Sequence, residues 1–172
     1  MKQTIALGID PGLANTGYAI CSRSRVGKIS MSDCGILTTD TADTEASRIL
    51  EIHTGITSFI REHKPSLLAV ELVFYGKNVT SALSTQSVIT ICLLFAEQAG
   101  ITGILQLTPQ SVKASATGSG RADKQLVRRF VKKITRTEIS NHHATDAAEV
   151  ANCGTPTATL YIYILHKVYL IL

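Results

Sequence analysis

The stretch GIDPGLANTGYAI, residues 8–20, places one carboxylate, Asp10, at the end of an apolar run and follows it with a Pro-Gly turn. Residues 3–9 are predicted to form a buried strand, and residues 16–22 a second strand that returns beside it. Such a loop has two chemical uses: its glycines can approach a phosphate, or its carboxylate can hold a metal ion. A third explanation needs no chemistry, because Asp is also a common turn residue.

The sequence after this loop predicts an α/β domain. A third strand is predicted over residues 28–39, and an amphipathic helix over 43–64, where isoleucines recur at helical spacing. Pro65 ends this helix, and residues 66–72 form a short apolar strand that closes on Glu71. A strand, a helix and a strand in succession make a right-handed crossover between parallel strands. We therefore place the Glu71 strand beside the first strand.

A second helix is predicted over residues 81–99, and it is apolar on every side. Helices of this kind are usually buried on two faces. One face would meet the sheet, and the other would meet either a second subunit or more of the same chain. A fifth strand is predicted over 101–107, followed by a basic helix around 124–133 and a last helix that begins near Ser140.

Composition sets the class of protein. The length of 172 residues suits one domain, and a net charge of +4 permits a polyanionic partner. The four cysteines have no paired spacing, which favours reduced thiols and a cytoplasmic location over a zinc site or disulfides. The first residues lack the apolar length of a signal peptide. The hydrophobic stretch 155–172 is interrupted by His166 and Lys167 and is too short for a membrane span, so we expect no membrane partner. We divide the chain into one domain, 1–154, and a hydrophobic tail of unknown role, 155–172.

Four side chains are candidates for metal chemistry. Asp10 and Glu71 end two strands that are predicted to be neighbours, and two carboxylates that close repel each other unless a cation lies between them. His143 and Asp146 are three residues apart, hence on one face of a helix. Together the four could hold two divalent ions about 4 Å apart, the arrangement that cleaves phosphodiesters. Each residue alone also has a structural explanation, and His143 stands beside a second histidine, His142.

Other residues suit contact with nucleic acid. The Gly-Ser-Gly loop at 118–120 precedes the basic helix that begins at Lys124, and Lys113 lies just before it. Phe74 is an aromatic residue in a polar connection, followed by Lys77 and Asn78. It could stack on an unpaired base or simply pack onto the core, and the basic helix could equally be a solvated face.

Four segments resemble one known family in order and spacing over about residues 4–152: GIDPG…TGYAI, VELVFYGKN followed by SAL, TPQSVKASATGSGRADKQLV, and HATDAAEVA. They are similar to the RuvC family of Holliday-junction resolvases. The resemblance implies a ribonuclease H-like α/β fold, a five-stranded mixed sheet flanked by helices. It also implies a metal-dependent endonuclease that cuts four-way DNA junctions by paired symmetric nicks during recombination and repair.

Carried over by position, the resemblance implies that Asp10, Glu71, His143 and Asp146 are catalytic and bind two Mg²⁺ or Mn²⁺ ions per subunit. It implies that Phe74 works near the junction centre and that Lys113 and Lys124 meet the scissile phosphate region. Family members are homodimers, which suits the helix at 81–99, and a branch-migration helicase complex is an expected partner. Where the family usually has Gly-Gln-Ala-Arg-Gly after SAL, residues 84–92 here are STQSVITIC, and the pattern ends after Ala151.

Two other functions fit part of the sequence. A junction-binding protein that has lost cleavage would keep the basic helix and Phe74 without affinity for metal. An actin-like ATPase or sugar kinase also has a first phosphate loop in which an aspartate precedes spaced glycines, but it needs two lobes and a second phosphate loop. Comparing DNA binding with and without magnesium, for the wild type and Asp10→Asn, separates a nuclease from a binding protein.

Overall fold

In the computed structural model, five strands form one mixed sheet in the order β3-β2-β1-β4-β5. The structure describes residues 4–23, 29–73, 79–111, 114 and 119–121. In chain order the elements are β1 (Thr4–Asp10), β2 (Asn15–Arg23), β3 (Ile29–Thr38), α1 (Glu45–His63), β4 (Leu67–Glu71), α2 (Val79–Gln98) and β5 (Gly103–Leu107). β1 to β3 are antiparallel neighbours, whereas β4 runs parallel to both β1 and β5. The predicted placement of the Glu71 strand beside the first strand is confirmed.

Capping residues determine where helix α1 begins and ends. The side chain of Thr44 accepts a hydrogen bond from the backbone N–H of Ser47, and Glu45 in the first turn favours the positive end of the helix dipole. At the other end Lys64 adopts a left-handed conformation, with φ 47°, and its N–H donates to the carbonyl of Ile60. Pro65 follows, so the helix cannot continue.

The main core lies on one face of the sheet, which we call the helix face. Leu7, Ile9, Leu68 and Val70 of the two central strands are fully buried there, and both helices contribute to the same core. From the helices come Ile52, Ile56 and Ile60 of α1 and Val88, Ile89, Cys92, Phe95 and Ala96 of α2. Burying each large apolar side chain contributes about 1.5–3 kcal/mol, so this core fixes how the central strands pair.

A glycine in β3, Gly35, lets α1 pack over β2 and β3. A Cβ placed on Gly35 would lie 2.9 Å from the hydroxyl of Tyr18 and about as close to its ring. The ring of Tyr18 therefore lies over Gly35 and stacks on Phe59 of α1, with 4.0 Å between the ring centroids. This contact joins the antiparallel strands to the helix.

Helix α2 is buried on one side only. Its core residues pack on the sheet, whereas Leu83 and Leu94 keep 57% and 54% of their surface exposed. Burial on two faces, which its composition predicted, is therefore not achieved within the described part of this chain. The helix is long and apolar enough to cross a membrane, but the central helix of a folded domain passes the same test, and α2 packs on the sheet as such a helix does.

Candidate active site

Asp10 and Glu71 end the two central strands side by side. Ile9 pairs with Val70 in the parallel ladder, and Asp10 and Glu71 are the next residue in each strand. Neighbouring strands are about 4.8 Å apart, and equivalent residues in parallel strands project from the same face. Since Ile9 and Val70 point into the core, Asp10 and Glu71 project from the opposite face, which we call the carboxylate face. The prediction that the strands carrying Asp10 and Glu71 end side by side is confirmed.

Small residues lie beside Asp10 on this face, whereas the partner of Glu71 in β5 is Leu107. The cross-strand partner of Asp10 in β2 is Gly17, which has no side chain. One row further into the sheet, Gly8 lies between Ala19 of β2 and Ala69 of β4. Gly8, Gly17, Ala19 and Ala69 are themselves buried, and none of them brings a large side chain to the surroundings of Asp10. The pairing of Asp10 with Gly17 could have been predicted from the sequence, because a short hairpin joins the two residues.

Gly12 in the following loop serves the turn. A Cβ on this residue would lie 2.6 Å from the carbonyl oxygen of Asn15, closer than such atoms approach. The space is needed because the carbonyl of Gly12 accepts a hydrogen bond of 2.7 Å from the hydroxyl of Thr16, a fully buried residue. Gly12 thus permits a tight connection between β1 and β2, and Asp10 stands at the point where that connection begins.

One residue from outside the loop, Thr39, binds its next two carbonyl groups, and a second residue, Arg48, binds Thr39. Thr39, which follows β3, donates from its hydroxyl to the carbonyl of Leu13 over 2.6 Å and from its N–H to the carbonyl of Ala14 over 3.1 Å. The same hydroxyl accepts a 2.9 Å hydrogen bond from Nε of Arg48 in α1. Sequence reasoning missed both residues, since they are far from the loop in the chain and belong to no motif.

The other predicted site residues lie outside the described residues. These are His143 and Asp146 as metal ligands and Phe74, Lys77, Asn78, Lys113 and Lys124 as DNA contacts. Within the ranges that the structure describes, no group of three or more His, Cys, Asp and Glu could hold a metal ion. The described part of the chain therefore brings together two of the four predicted ligands. Both supply carboxylate oxygens, which are the ligands that Mg²⁺ and Mn²⁺ prefer, so the residues present fit such an ion.

The three cysteines among the described residues have the chemistry of buried thiols rather than of metal ligands or nucleophiles. Cys21, Cys34 and Cys92 are free thiols. Burial raises the pKa of all three, and it raises the pKa of Cys92 to about 12. Thiols with raised pKa values are poor nucleophiles and poor metal ligands at neutral pH. Cys153 lies outside the described residues.

Solved structures with the same architecture define the class of the fold. RuvC from Thermus thermophilus superimposes with a TM-score of 0.78 at 20% sequence identity, covering 97% of this chain and 96% of the other. A structure of T. thermophilus RuvC in complex with Holliday junction substrate gives 0.75 at 18% identity, with the same coverage. The sheet order and the two helices are those of a RuvC-type, ribonuclease H-like fold, as predicted.

Sequence comparison narrows the class to one family. The family model described as crossover junction endodeoxyribonuclease RuvC matches residues 6–154. The RuvC of Roseiflexus sp. strain RS-1 is 33% identical over 162 residues, covering 93% of this chain and 95% of that protein. The RuvC of Chloroflexus aggregans is 35% identical over 155 residues, covering 89% and 93%. This chain belongs to the RuvC family of crossover junction endodeoxyribonucleases.

Membership settles the reaction class. The family consists of divalent-metal-dependent nucleases that resolve Holliday junctions in recombination and repair, and these are soluble DNA-processing enzymes. The actin-like kinase alternative is therefore wrong.

Proposed function

We propose that this chain cuts Holliday junctions at a two-metal site formed by Asp10, Glu71, His143 and Asp146. One observation carries the proposal: the parallel register places Asp10 and Glu71 in the same row of the carboxylate face. Two carboxylates in adjacent positions repel each other, and a divalent cation between them offsets that repulsion. The family match to residues 6–154 covers all four positions, which supports the assignment of His143 and Asp146.

The chemistry follows from the geometry of the carboxylate face. When bound, divalent ions supply positive charge that stabilises the negative charge on the phosphate oxygens as the bond to phosphorus breaks. The part of Asp10 and Glu71 is to hold those ions at the ends of two rigid strands. Gly17, the cross-strand partner of Asp10, brings no side chain of its own to the place where the phosphodiester would approach.

Selection of branched DNA is assigned to backbone and base-stacking contacts. Lys113 and Lys124 bind the phosphates near the cut, Phe74 stacks at the junction centre, and Lys77 and Asn78, which follow Phe74 in the chain, also contact the DNA. The related T. thermophilus RuvC has been solved with Holliday junction substrate, which supports the same substrate class here. A synthetic four-way junction should be nicked in opposed strands only with Mg²⁺ or Mn²⁺, and a matched linear duplex should stay intact.

Metal binding is tested without DNA. At a Mg²⁺ concentration of 100 times the dissociation constant, binding stabilises the native state by about 2.7 kcal/mol, which raises the melting temperature by about 5–11 °C for a domain of this size. Asp10→Asn and Glu71→Gln should lose this rise. Asp40→Asn is the matched control, because Asp40 is an exposed carboxylate after β3. An equal Mg²⁺ effect in Asp10→Asn and wild type would contradict the proposed site.

The same variants test the remaining alternative, a junction-binding protein without cleavage. If the proposal is right, Asp10→Asn binds the junction and fails to cut it, whereas the wild type does both. A wild-type protein that binds the junction and leaves it intact at saturating Mg²⁺ and Mn²⁺ would support the binding-protein function instead.

We propose further that α2 forms the contact of a homodimer. Val79, Leu83 and Leu94 lie along one stripe of the helix, and each is more than half exposed. The hydroxyls of Ser87 and Thr90 on the same stripe donate to the carbonyls of Leu83 and Gln86. Burying them against a partner therefore leaves no hydroxyl proton unpaired. The stripe passes through the segment 84–92, where the sequence departs from the family pattern, at Ser87 and Thr90.

A charge placed in the stripe tests the dimer. Leu94→Glu should give a monomer in sedimentation velocity, because a carboxylate is costly to bury in an apolar contact. Paired nicks in the junction should then become single, unpaired nicks. Leu50→Glu is the matched control, since Leu50 is 62% exposed on α1. A Leu94→Glu protein that sediments as a dimer would show that the contact lies elsewhere.

The wider setting follows from the same assignment. We place the protein in the cytoplasm, where its free thiols stay reduced and chromosomal junctions are accessible. A branch-migration helicase complex is the expected partner by analogy with the family. The family match ends at residue 154, which supports a nuclease domain of residues 1–154 and a separate tail, 155–172.

A further inference from the structure

The loop after Asp10 is held from outside by two residues that no motif includes. The carbonyl groups of Gly12, Leu13 and Ala14 are consecutive, and each accepts a hydrogen bond from a threonine. Thr16 binds the first, whereas Thr39 binds the other two. Thr39 is thus the residue through which the end of β3 fixes the position of the β1–β2 connection.

Arg48 fixes Thr39 in turn. A threonine hydroxyl has one proton to donate and can accept from other groups. Here the proton goes to Leu13, and the hydroxyl oxygen accepts from Nε of Arg48. Because a guanidinium donor gives a stronger bond than a neutral one, Arg48 holds the hydroxyl in the orientation that binds Leu13. Thr39 is only 5% exposed, so water does not readily replace either bond.

We propose that Thr39 and Arg48 are positioning residues for the metal site and act through the loop on Asp10. This rests on the proposed function, in which Asp10 is a metal ligand. Leu13 is three residues from Asp10, and the pair Asp10–Gly17 closes the hairpin that contains the loop. A shift of Leu13 and Ala14 therefore moves the end of β1 and with it the carboxylate of Asp10, and groups that orient a metal ligand in this way are typically worth about 10–100-fold in metal affinity.

The test measures affinity for Mg²⁺ alone, by calorimetry on the full chain without DNA. Thr39→Val keeps the shape of the side chain and removes the hydroxyl, and it should weaken Mg²⁺ binding by about tenfold, the lower end of the effect for groups that orient metal ligands. Thr39→Ser keeps the hydroxyl and should restore the affinity. Arg48→Met keeps the aliphatic stem, removes the donor and should weaken binding less than Thr39→Val.

A matched control separates positioning from general destabilisation. Thr54→Val makes the same chemical change in α1, where the hydroxyl donates only to the carbonyl of Leu50 in its own helix. It should leave Mg²⁺ affinity unchanged. In the junction assay, Thr39→Val should need more Mg²⁺ for half-maximal rate and recover most of the wild-type rate at saturation, because all ligands are still present.

The outcomes are distinct. Wild-type Mg²⁺ affinity in both Thr39→Val and Arg48→Met overturns the inference, while loss of binding in Asp10→Asn would still uphold the proposed function. If the wild type itself binds no Mg²⁺, the proposed function fails first. If Thr39→Val does not fold, Arg48→Met alone tests the inference. Wild-type Mg²⁺ affinity in Arg48→Met would then overturn it, because this variant removes the hydrogen bond that orients Thr39.

Discussion

A single methyl group added at Gly12 should disturb both the stability and the metal site. In Gly12→Ala the new Cβ would lie 2.6 Å from the carbonyl oxygen of Asn15, whereas ordinary contact begins near 3.4 Å. The loop must open by about 0.8 Å, the difference between these distances. Opening strains the bond from Thr16 to Gly12 and the bonds from Thr39 to the next two carbonyls.

The size of the effect follows from two opposing contributions. Overpacking of this kind costs about 1–3 kcal/mol. Replacing Gly by Ala also restricts the unfolded chain, which offsets about 0.4–1 kcal/mol. We expect a net loss of about 1–2 kcal/mol, which lowers the melting temperature by about 2–8 °C. Thermal unfolding followed by circular dichroism, with and without Mg²⁺, measures both the loss and the metal dependence.

Gly100→Ala is the control for stability. Gly100 follows α2 with φ 69°, and a Cβ there would meet nothing within 4 Å. Left-handed backbone costs an alanine about 1–2 kcal/mol, so the two variants should lose similar stability. Only Gly12→Ala should also lose the stabilisation by Mg²⁺ and slow the cutting of the junction. Equal Mg²⁺ responses in the two variants would refute the link between the loop and the site.

Three further predictions concern the fold. Ile56→Ala should destabilise the protein by about 2–5 kcal/mol in urea unfolding, because Ile56 is fully buried, whereas Leu50→Ala, exposed on the same helix, should change it by no more than about 0.5 kcal/mol. Gly35→Ala should push the ring of Tyr18 off Phe59 and cost about 1–3 kcal/mol, with a changed near-ultraviolet dichroism of tyrosine as the specific sign. Burial raises the pKa of Cys92 from 9.0 to about 12, so above pH 9 the thiol ionises in the unfolded chain and stays protonated in the native one. Between pH 9 and pH 12 this residue should therefore lower the free energy of unfolding by about 1.4 kcal/mol per pH unit. In Cys92→Ala the free energy of unfolding should fall less steeply with pH by this amount.

The sheet and its helices were predictable from the sequence because local signals agreed with one another. Isoleucines at helical spacing and the helix-ending Pro65 predicted α1, and the structure places the helix within two residues of the predicted span at each end. The crossover rule then put β4 beside β1, and from that pairing the meeting of Asp10 and Glu71 followed.

The bonds around the loop were not predictable in the same way. The contact of Thr39 with Leu13 joins residues 26 positions apart, and no periodicity or motif encodes it. The exposed stripe of α2 was hidden for another reason. Its hydroxyls and its leucines look equally compatible with burial and with exposure, so composition showed an apolar helix without showing which side the chain itself would cover.

The sheet order also decides when the site comes into existence during folding. β1 to β3 are consecutive hairpins, which form from local contacts, but β4 joins them only after α1 has crossed over the sheet. Until then Asp10 and Glu71 belong to unconnected parts of the chain, and neither can share an ion with the other. At the site proposed above, a chain that has not yet made this crossover therefore cannot bring the two carboxylates to one ion.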